Sequence, residues 1–429
     1  MNGDAPELWR MCELLGHDAG RVRAGETVCT YLEIPTPAAA RRVLSRASAE
    51  QRQRRSATFF DAIAPRQHLS QGMHDRGEAH VFADTELCEI DRAGLDRHFP
   101  IHVKALSALE LVVPAGETFD VSVRGERWGL DHLEELYVVA NLGQLVLEDR
   151  ASLVMRGNVF SLVCQRFARR GQPPGFDIGI LPTPFPVDGR LGPFDGRSGA
   201  RGHRGRPGRD GTAPARATLL GVLAPGASRP ADATAGEDGG RGGDGERGRA
   251  GGMAKLAELT VRDVASPLVV LARGGRGGDG GDGGPGGDGG RGGSAAEPHR
   301  SLDGALVGAR GAPGGDGGDG GTGGDGGKAG IASNVYVTVP PEQADRVRVR
   351  SIPGEPGSGG RGGRPGTAGA DGSTPSAATG PAAAGRRGVA GRPGKLRAGP
   401  AMFVNDELAD DGGGPRGGRV QRAGSSPGV

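Results

Sequence analysis

The sequence predicts a mixed fold: a short helical N-terminal segment, a small all-β domain, and a glycine-rich antiparallel bundle of polyproline II helices. Three observations carry that expectation. Glycine is unevenly placed, with 15 of the 84 glycines in residues 1–188 and 69 in the other 241 of the 429 residues. Of the 16 aromatic residues 13 precede residue 189, as do all four cysteines, so only the first half has the side chains for an ordinary core. In the second half, glycine recurs every third residue. Four segments follow: 1–85 helical, 86–188 β-solenoid-like, 189–400 a glycine-rich bundle with inserted strands, and 401–429 a flexible tail. One large enzyme domain of the usual kind is excluded.

Residues 4–17 predict a helix. Asp4 caps it, Pro6 suits its first turn, and Leu8, Met11, Cys12 and Leu15 recur at three- and four-residue spacing. A second helix is expected to start at Thr36 and Pro37 and run to Ile63, with Arg41, Arg42, Arg46, Arg52, Arg54 and Arg55 forming a basic solvated face. No aromatic side chain interleaves with these arginines, which argues against single-stranded nucleic acid as the partner.

From about 86 to 167 the apolar period becomes two, in LELVVP, TFDVSV, ELYVVA, QLVLED, SLVMRG and FSLVCQ. Val112, Val121, Val138, Val146, Val154 and Val163 fall at intervals of 9, 17, 8, 8 and 9. Short strands at such spacing suit a parallel β-solenoid or a sandwich, because each strand stacks its inward residues on the next.

Six tracts then carry glycine at a three-residue step: 196–211, 236–251, 274–293, 308–326, 354–372 and 385–394, here tracts 1 to 6. Tract 3 is Gly-Gly-X throughout. Strand-like pieces, LAELTVRDV, PLVVLA, NVYVTV and RVRVRSI, separate the tracts into three outgoing and returning pairs, with distal turns near 214–235, 294–307 and 373–384. A polyproline II helix has about 3 residues per turn, so one glycine in three leaves a Cβ-free stripe on one side, and two in three leave two stripes. Backbones then pack directly. The glycines expected to line such contacts include Gly199, Gly202 and Gly205, Gly239, Gly242 and Gly245, Gly277, Gly280 and Gly283, Gly314, Gly317 and Gly320, and Gly360, Gly363 and Gly366.

A trimeric collagen and a disordered glycine-rich chain compete with the intramolecular bundle. The interruptions of the tracts by strands disfavour one continuous trimeric rod, and the regular step disfavours a mere linker. Charge adds a sorting rule: tracts 1 and 6 are basic, and tracts 3 and 4 carry more Asp than Arg and Lys. The triplet tracts resemble bacterial collagen-like proteins. The antiparallel arrangement is similar to the polyglycine/polyproline II bundles of snow flea antifreeze protein and of some phage tail adhesins. The resemblance covers 196–399 and implies a fold; it transfers no functional residue.

Chemistry is sparse. GGRGGD at 274–279 begins like a calcium-binding nonapeptide, but Gly281 stands where that repeat needs a large apolar residue. Asp279, Asp282, Asp288, Asp316, Asp319 and Asp325 are therefore only weak calcium candidates, and no resident metal or cofactor is expected. His98, His102 and Cys88 lack the fourth ligand of a zinc site. No Walker, dinucleotide-binding or GxSxG motif is present. The Asp and Arg of the tracts do not suit ice.

The four cysteines have no CxxC spacing and read as reduced thiols. The near-balanced charge, 53 basic against 51 acidic residues, gives no global field for nucleic acid, and no apolar run is long enough to span a membrane. The N-terminus does not read as a secretory signal, leaving a cytoplasmic location or export by a non-classical route. The expected function is noncatalytic: a structural or adhesive protein contacting a protein, glycan or cell surface. A homotrimeric stalk and a toxin-associated effector are the alternatives.

Overall fold

The structure, a computed structural model, describes residues 6–56, 59, 71–84, 86, 89–124, 130, 134–184, 194–212, 231–297, 299–300, 306–307, 309–373 and 381–409. It is mixed α/β, with a few short helices and mostly parallel sheets. The distal turns fall largely outside the described residues.

The N-terminal segment holds α1 (Pro6–Leu14), α2 (Ala19–Arg23), strand β1 (Val28–Ile34), α3 (Pro37–Leu44) and α4 (Ala49–Ser56). Thr36 caps α3 by accepting the Ala39 N–H, with Pro37 in the first turn. The single helix expected from Thr36 to Ile63 is corrected to two. The chain leaves the helix at Ser45, where Glu258 takes the Ser45 hydroxyl and the Arg46 N–H. It re-enters through a capping box in which Ser48 and Gln51 bond each other's backbone. Residues 60–63 lie outside the described residues.

Two further helices, α5 (His74–Ala83) and α6 (Glu89–Asp96), go beyond the sequence expectation. Gly77 hides α5 by its poor helix propensity, but it is a contact point. A Cβ there would lie within 3.0 Å of Leu95 Cδ1 and Met73 Cβ.

The remaining strands are β2 (Ile101–Val113), β3 (Thr118–Asp120), β4 (Leu136–Leu147), β5 (Ser152–Arg156), β6 (Val159–Arg169), β7 (Ile178–Leu181), β8 (Ala257–Val261) and β9 (Leu268–Arg273). They continue with β10 (His299–Arg300), β11 (Leu306–Val307), β12 (Val335–Thr338), β13 (Val347–Ile352), β14 (Met402–Val404) and β15 (Glu407–Leu408).

One sheet has the order β1-β2-β4-β6-β8-β12-β14-β15, the other β13-β9-β7-β5-β3, and β10 pairs only with β11. From β2 to β14 the chain crosses alternately between the eight-stranded sheet and the five-stranded one, interrupted by the antiparallel β10–β11 pair, and every pairing within the two sheets along that path is parallel. Antiparallel β1 and β15 close the two edges of the larger sheet.

Leu106, Ala140, Leu162, Leu259, Val337 and Val404 stand in register across the larger sheet and face Leu153, Ile178, Val270 and Val349 of the smaller one. Burying each Leu or Val contributes about 1.5–3 kcal/mol. The next ladder, Ala105, Val139, Ser161, Glu258, Tyr336 and Phe403, faces the N-terminal helices, where Ala105, Val139, Tyr336 and Phe403 join a second core. With both faces covered, β4 and β6 read as near-continuous apolar runs.

The even valine spacing is corrected: Val138 and Val146 lie in one strand, because Gly143 lets β4 run past the Leu109 carbonyl instead of turning. The tail is corrected too. Met402, Phe403 and Val404 are only 2–4% exposed, since three consecutive apolar residues complete both cores at the sheet edge. Residues 410–429 lie outside the described residues.

Each glycine-rich pair leaves the smaller sheet and returns to the larger one. Tracts 1 and 2 connect β7 to β8, tracts 3 and 4 connect β9 to β12, and tracts 5 and 6 connect β13 to β14. The three excursions therefore start from strands that are neighbours, in the order β7, β9, β13.

Candidate functional site

Among the described residues the tracts carry neither helix nor regular strand, and their backbone groups bond from tract to tract. Gly199, Gly202 and Gly205 of tract 1 donate to Asp282, Pro285 and Asp288 of tract 3, which runs parallel to it. Gly239 and Gly242 of tract 2 donate likewise to Asp316 and Asp319 of tract 4, Gly280 and Gly283 of tract 3 to Ser358 and Arg361 of tract 5, and Gly320 of tract 4 to Arg386 of tract 6. The second glycine of each doublet donates to an antiparallel neighbour, as Gly281 does to Glu246 and Gly324 to Gly281. Odd tracts thus form one parallel layer and even tracts the other.

Tract 3 bonds to tracts 1, 2, 4 and 5, and tract 4 to tracts 2, 3, 5 and 6. Tracts 1 and 6 have two partners each. Glycine doubling follows this count: the two tracts with four neighbours are the two written mainly as Gly-Gly-X.

Space, not backbone angle, demands these glycines, because none of the described tract glycines has a positive φ. A Cβ on Gly199, Gly202 or Gly205 would come within 3.0 Å of the carbonyl oxygens of Gly243, Gly240 or Glu237. Those on Gly239, Gly242 and Gly245 would strike Gly287, Gly284 and Gly281, and those on Gly277, Gly280 and Gly283 would strike Gly327, Gly324 and Gly321. Gly314, Gly317 and Gly320 lie equally close to Gly369, Gly366 and Gly363, and Gly360, Gly363 and Gly366 to Gly281, Gly284 and Gly287.

The six aspartates weighed for calcium have another task. Asp279, Asp282 and Asp288 each turn Oδ1 to a backbone N–H of tract 5, those of Ser358, Arg361 and Thr367, at 2.7, 2.6 and 3.0 Å. Asp316, Asp319 and Asp325 do the same for Ala383, just before tract 6, and for Arg386 and Arg392 within it, at 2.7, 2.6 and 2.9 Å. An X residue's N–H points away from the glycine contacts, and the carboxylate one tract over takes it. Bonds from the Ser358 and Thr367 backbone N–H groups, joined by their hydroxyls, hold the Asp279 and Asp288 carboxyls below the usual range. Asp244 is lowered in the same way by Thr322. Sequence reasoning missed this ladder. Its signal was present: these aspartates occupy the X position of successive Gly-Gly-X triplets.

No group of three or more His, Cys, Asp or Glu that could hold a metal occurs among the described residues. His98 and His102 are buried, and His102 lies 3.7 Å from Glu33 and 3.8 Å from Glu134. Cys88 is outside the described residues. Cys12, Cys29 and Cys164 are free thiols.

Charge on the tracts is partly paired. Arg201 reaches Asp288 at 3.3 Å, Arg247 reaches Asp325 at 3.6 Å, and Arg276 reaches Asp279 at 2.7 Å. Along tract 6 and its continuation, Arg386, Arg387, Arg392, Lys395 and Arg397 are all exposed, and none makes an ion pair with a described residue. Val389 and Leu396, on the same segment, are 72% and 68% exposed.

Two polar clusters lie beneath the larger sheet's outer face, one sealed and the other largely buried. Arg55, 1% exposed, donates to Glu258 and to Asp406 at 2.6 Å each and stacks on Tyr336. His17 bonds Ser107 and Thr30 at 2.7 Å each, and Ser107 also accepts from Asn141. Ser107 and Asn141 are fully buried. Arg55 and Glu258 pin α4 to the sheet, which corrects the expectation that Arg55 belongs to a basic solvated face: the partners of Arg55 lie 203 and 351 residues away, beyond the reach of any local pattern. No helix among the described residues is long and apolar enough to cross a membrane.

No protein-family model matches this chain, and no curated protein or solved structure is significantly similar to it.

Proposed function

We propose that this chain is a noncatalytic structural or adhesive protein, in which a two-sheet parallel β-solenoid carries a stiff bundle of six polyproline II helices for contact with a protein, glycan or cell surface. The observation that carries this reading is the count of tract neighbours. Tracts 3 and 4 exchange backbone bonds with four other tracts of the same chain, and they are the tracts with doubled glycine. A three-residue screw places donors and glycines on fixed sides and leaves the X side chains outward. Those outward rows, mounted on a base with its own apolar core, supply a rigid surface whose side chains can vary without disturbing the backbone contacts.

The intramolecular bonding favours this reading over the trimeric stalk, which needs its bonds between chains. Sedimentation velocity and small-angle scattering on the full chain test it. A compact monomer is expected. A trimer whose mass collapses on mild heating, or an extended monomer, overturns it.

A further inference from the structure

We propose that the exposed edge of the bundle along 385–399 binds a linear acidic polysaccharide. The inference rests on the reading of the tracts as a rigid contact surface, and it names the ligand class for one edge.

Tract 6 ends the tract order. Its glycines donate to tract 5, and its Ala383, Arg386, Val389 and Arg392 carbonyls accept from tract 4. Its remaining side faces no other tract. Residues 385–399 carry four arginines and one lysine with no acidic residue. The nearest acidic row, Asp316, Asp319 and Asp325, is engaged by the backbone N–H groups of Ala383, Arg386 and Arg392. These five cations are thus exposed and without an ion pair to a described residue.

Tract 1, the other end of the order, is less available. Arg201 pairs with Asp288, Arg206 approaches Glu237, and the tract carries Asp210. Both end tracts being basic, a second copy cannot extend the bundle edge to edge without like-charge repulsion, so the occupant of tract 6 is an anion and not another bundle.

The spacing selects among polyanions. Arg386, Arg392 and Lys395 belong to one three-residue row, with separations of about 19 Å and about 9 Å at the polyproline II rise of about 3.1 Å per residue. Such a sparse, straight row suits a stiff, extended chain that carries a charge on each repeating sugar, so that a carboxylate falls opposite each cation whatever the gap. Double-stranded DNA presents charge about every 1.7 Å of its axis, far denser than the row. Single strands are held by aromatic stacking, and 385–399 has no aromatic residue. Val389 lies within the row and Leu396 beside it, both available to the apolar faces of sugar rings.

The test uses the full chain and sodium alginate as the acidic probe, with neutral dextran and double-stranded DNA at the same ionic strength. Binding is read by affinity electrophoresis, and melting and sedimentation are recorded for every variant. Alginate is expected to retard the protein and dextran not to. The triple variant Arg386→Gln, Arg392→Gln, Lys395→Gln should bind alginate at least about tenfold more weakly, with unchanged sedimentation. The triple variant Arg197→Gln, Arg204→Gln, Arg209→Gln in tract 1 should lose less. If the tract 6 triple variant fails to fold, the pair Arg387→Gln and Arg397→Gln, exposed on the same segment beside the row, should likewise weaken alginate binding with unchanged sedimentation.

No alginate binding by the wild-type chain, equal binding by the tract 6 variant, or tighter binding of DNA overturns the inference. A compact wild-type monomer with any of those results leaves the bundle standing; an extended wild-type chain instead removes the bundle itself.

Discussion

Asp282 accepts the backbone N–H of Arg361 through Oδ1 at 2.6 Å, across 79 residues of chain. The same relation repeats from tract 1 to tract 3, where Asp195 accepts the Asp279 N–H at 2.8 Å, and from tract 2 to tract 4, where Asp238 accepts the Asp316 N–H at 2.8 Å. Glycine closes the interior of the tract array, and aspartate closes its outer faces. One residue type is present because it lacks a side chain, the other because its side chain reaches one tract sideways.

The interior glycines should tolerate no side chain. In Gly284→Ala the new Cβ would meet the Ala200 carbonyl within 3.0 Å, and the Gly284 N–H bond to Gly243 would be strained with it. Overpacking of this kind costs about 1–3 kcal/mol, occasionally more, and should appear as a lower Tm. Gly94 is the contrast: it lies inside α6, and a methyl group there would have nothing within 4 Å, so Gly94→Ala should raise stability by about 0.5–1 kcal/mol. Equal effects of the two substitutions in thermal melts would contradict the account.

The aspartate ladder predicts an acid-sensitive fold. Asp244, Asp279 and Asp288 have carboxyl groups held below their ordinary value of 3.8 by N–H and hydroxyl donors. A depressed folded value contributes stability above the unfolded value and loses it as pH falls through the folded one. Tm should therefore drop as pH falls below about 4. Buried Asp177, whose carboxyl burial pushes up, acts in the opposite sense. Replacing Asp244, Asp279 and Asp288 together by Asn should flatten the acid limb of a Tm-against-pH curve; an unchanged limb would sink the assignment.

Arg55 predicts a large and local effect. Its guanidinium spans Glu258 on β8 and Asp406 beyond β14, all three nearly sealed from water. Arg55→Met leaves Glu258 buried without its cation and Asp406 with only the longer contact to Arg54 at 3.6 Å, a loss of about 3–5 kcal/mol. Limited proteolysis should then cut first between α3 and α4. Wild-type protection in that segment would show that apolar packing alone holds the helices.

Thiol reactivity separates the cysteines. Burial pushes the Cys164 thiol up to about 12, and Cys12 is raised for the same reason. Cys29 is exposed. In the native protein a thiol reagent should modify Cys29 quickly and reach Cys12 and Cys164 only after unfolding. Rapid native labelling of Cys164 would contradict the packing between the sheets.

Much of the fold is legible in one dimension. Pro37 behind Thr36 announces α3, and Leu8, Met11 and Leu15 announce the buried side of α1. The break at Ser45 is not legible, because its cause, Glu258, is 213 residues away. Valine spacing misleads for a related reason: Gly143 looks like a turn and is a point where β4 passes close to Leu109. Met402, Phe403 and Val404 look too short to matter, yet the edge of the larger sheet needs them.

Residue order alone sets where side chains are absent and at what period, since a stripe without Cβ needs no tertiary context. It also sets the glycine-rich excursions in three pairs, each anchored by apolar strands. Which tract lies beside which is a matter of tertiary structure. Backbone carbonyls are chemically alike, so nothing in Gly281 names Glu246 or Arg197 as its neighbour. The choice is made by β7, β9 and β13, which release the excursions side by side and in phase, and by the aspartates, each of which reaches only as far as the next tract in its layer.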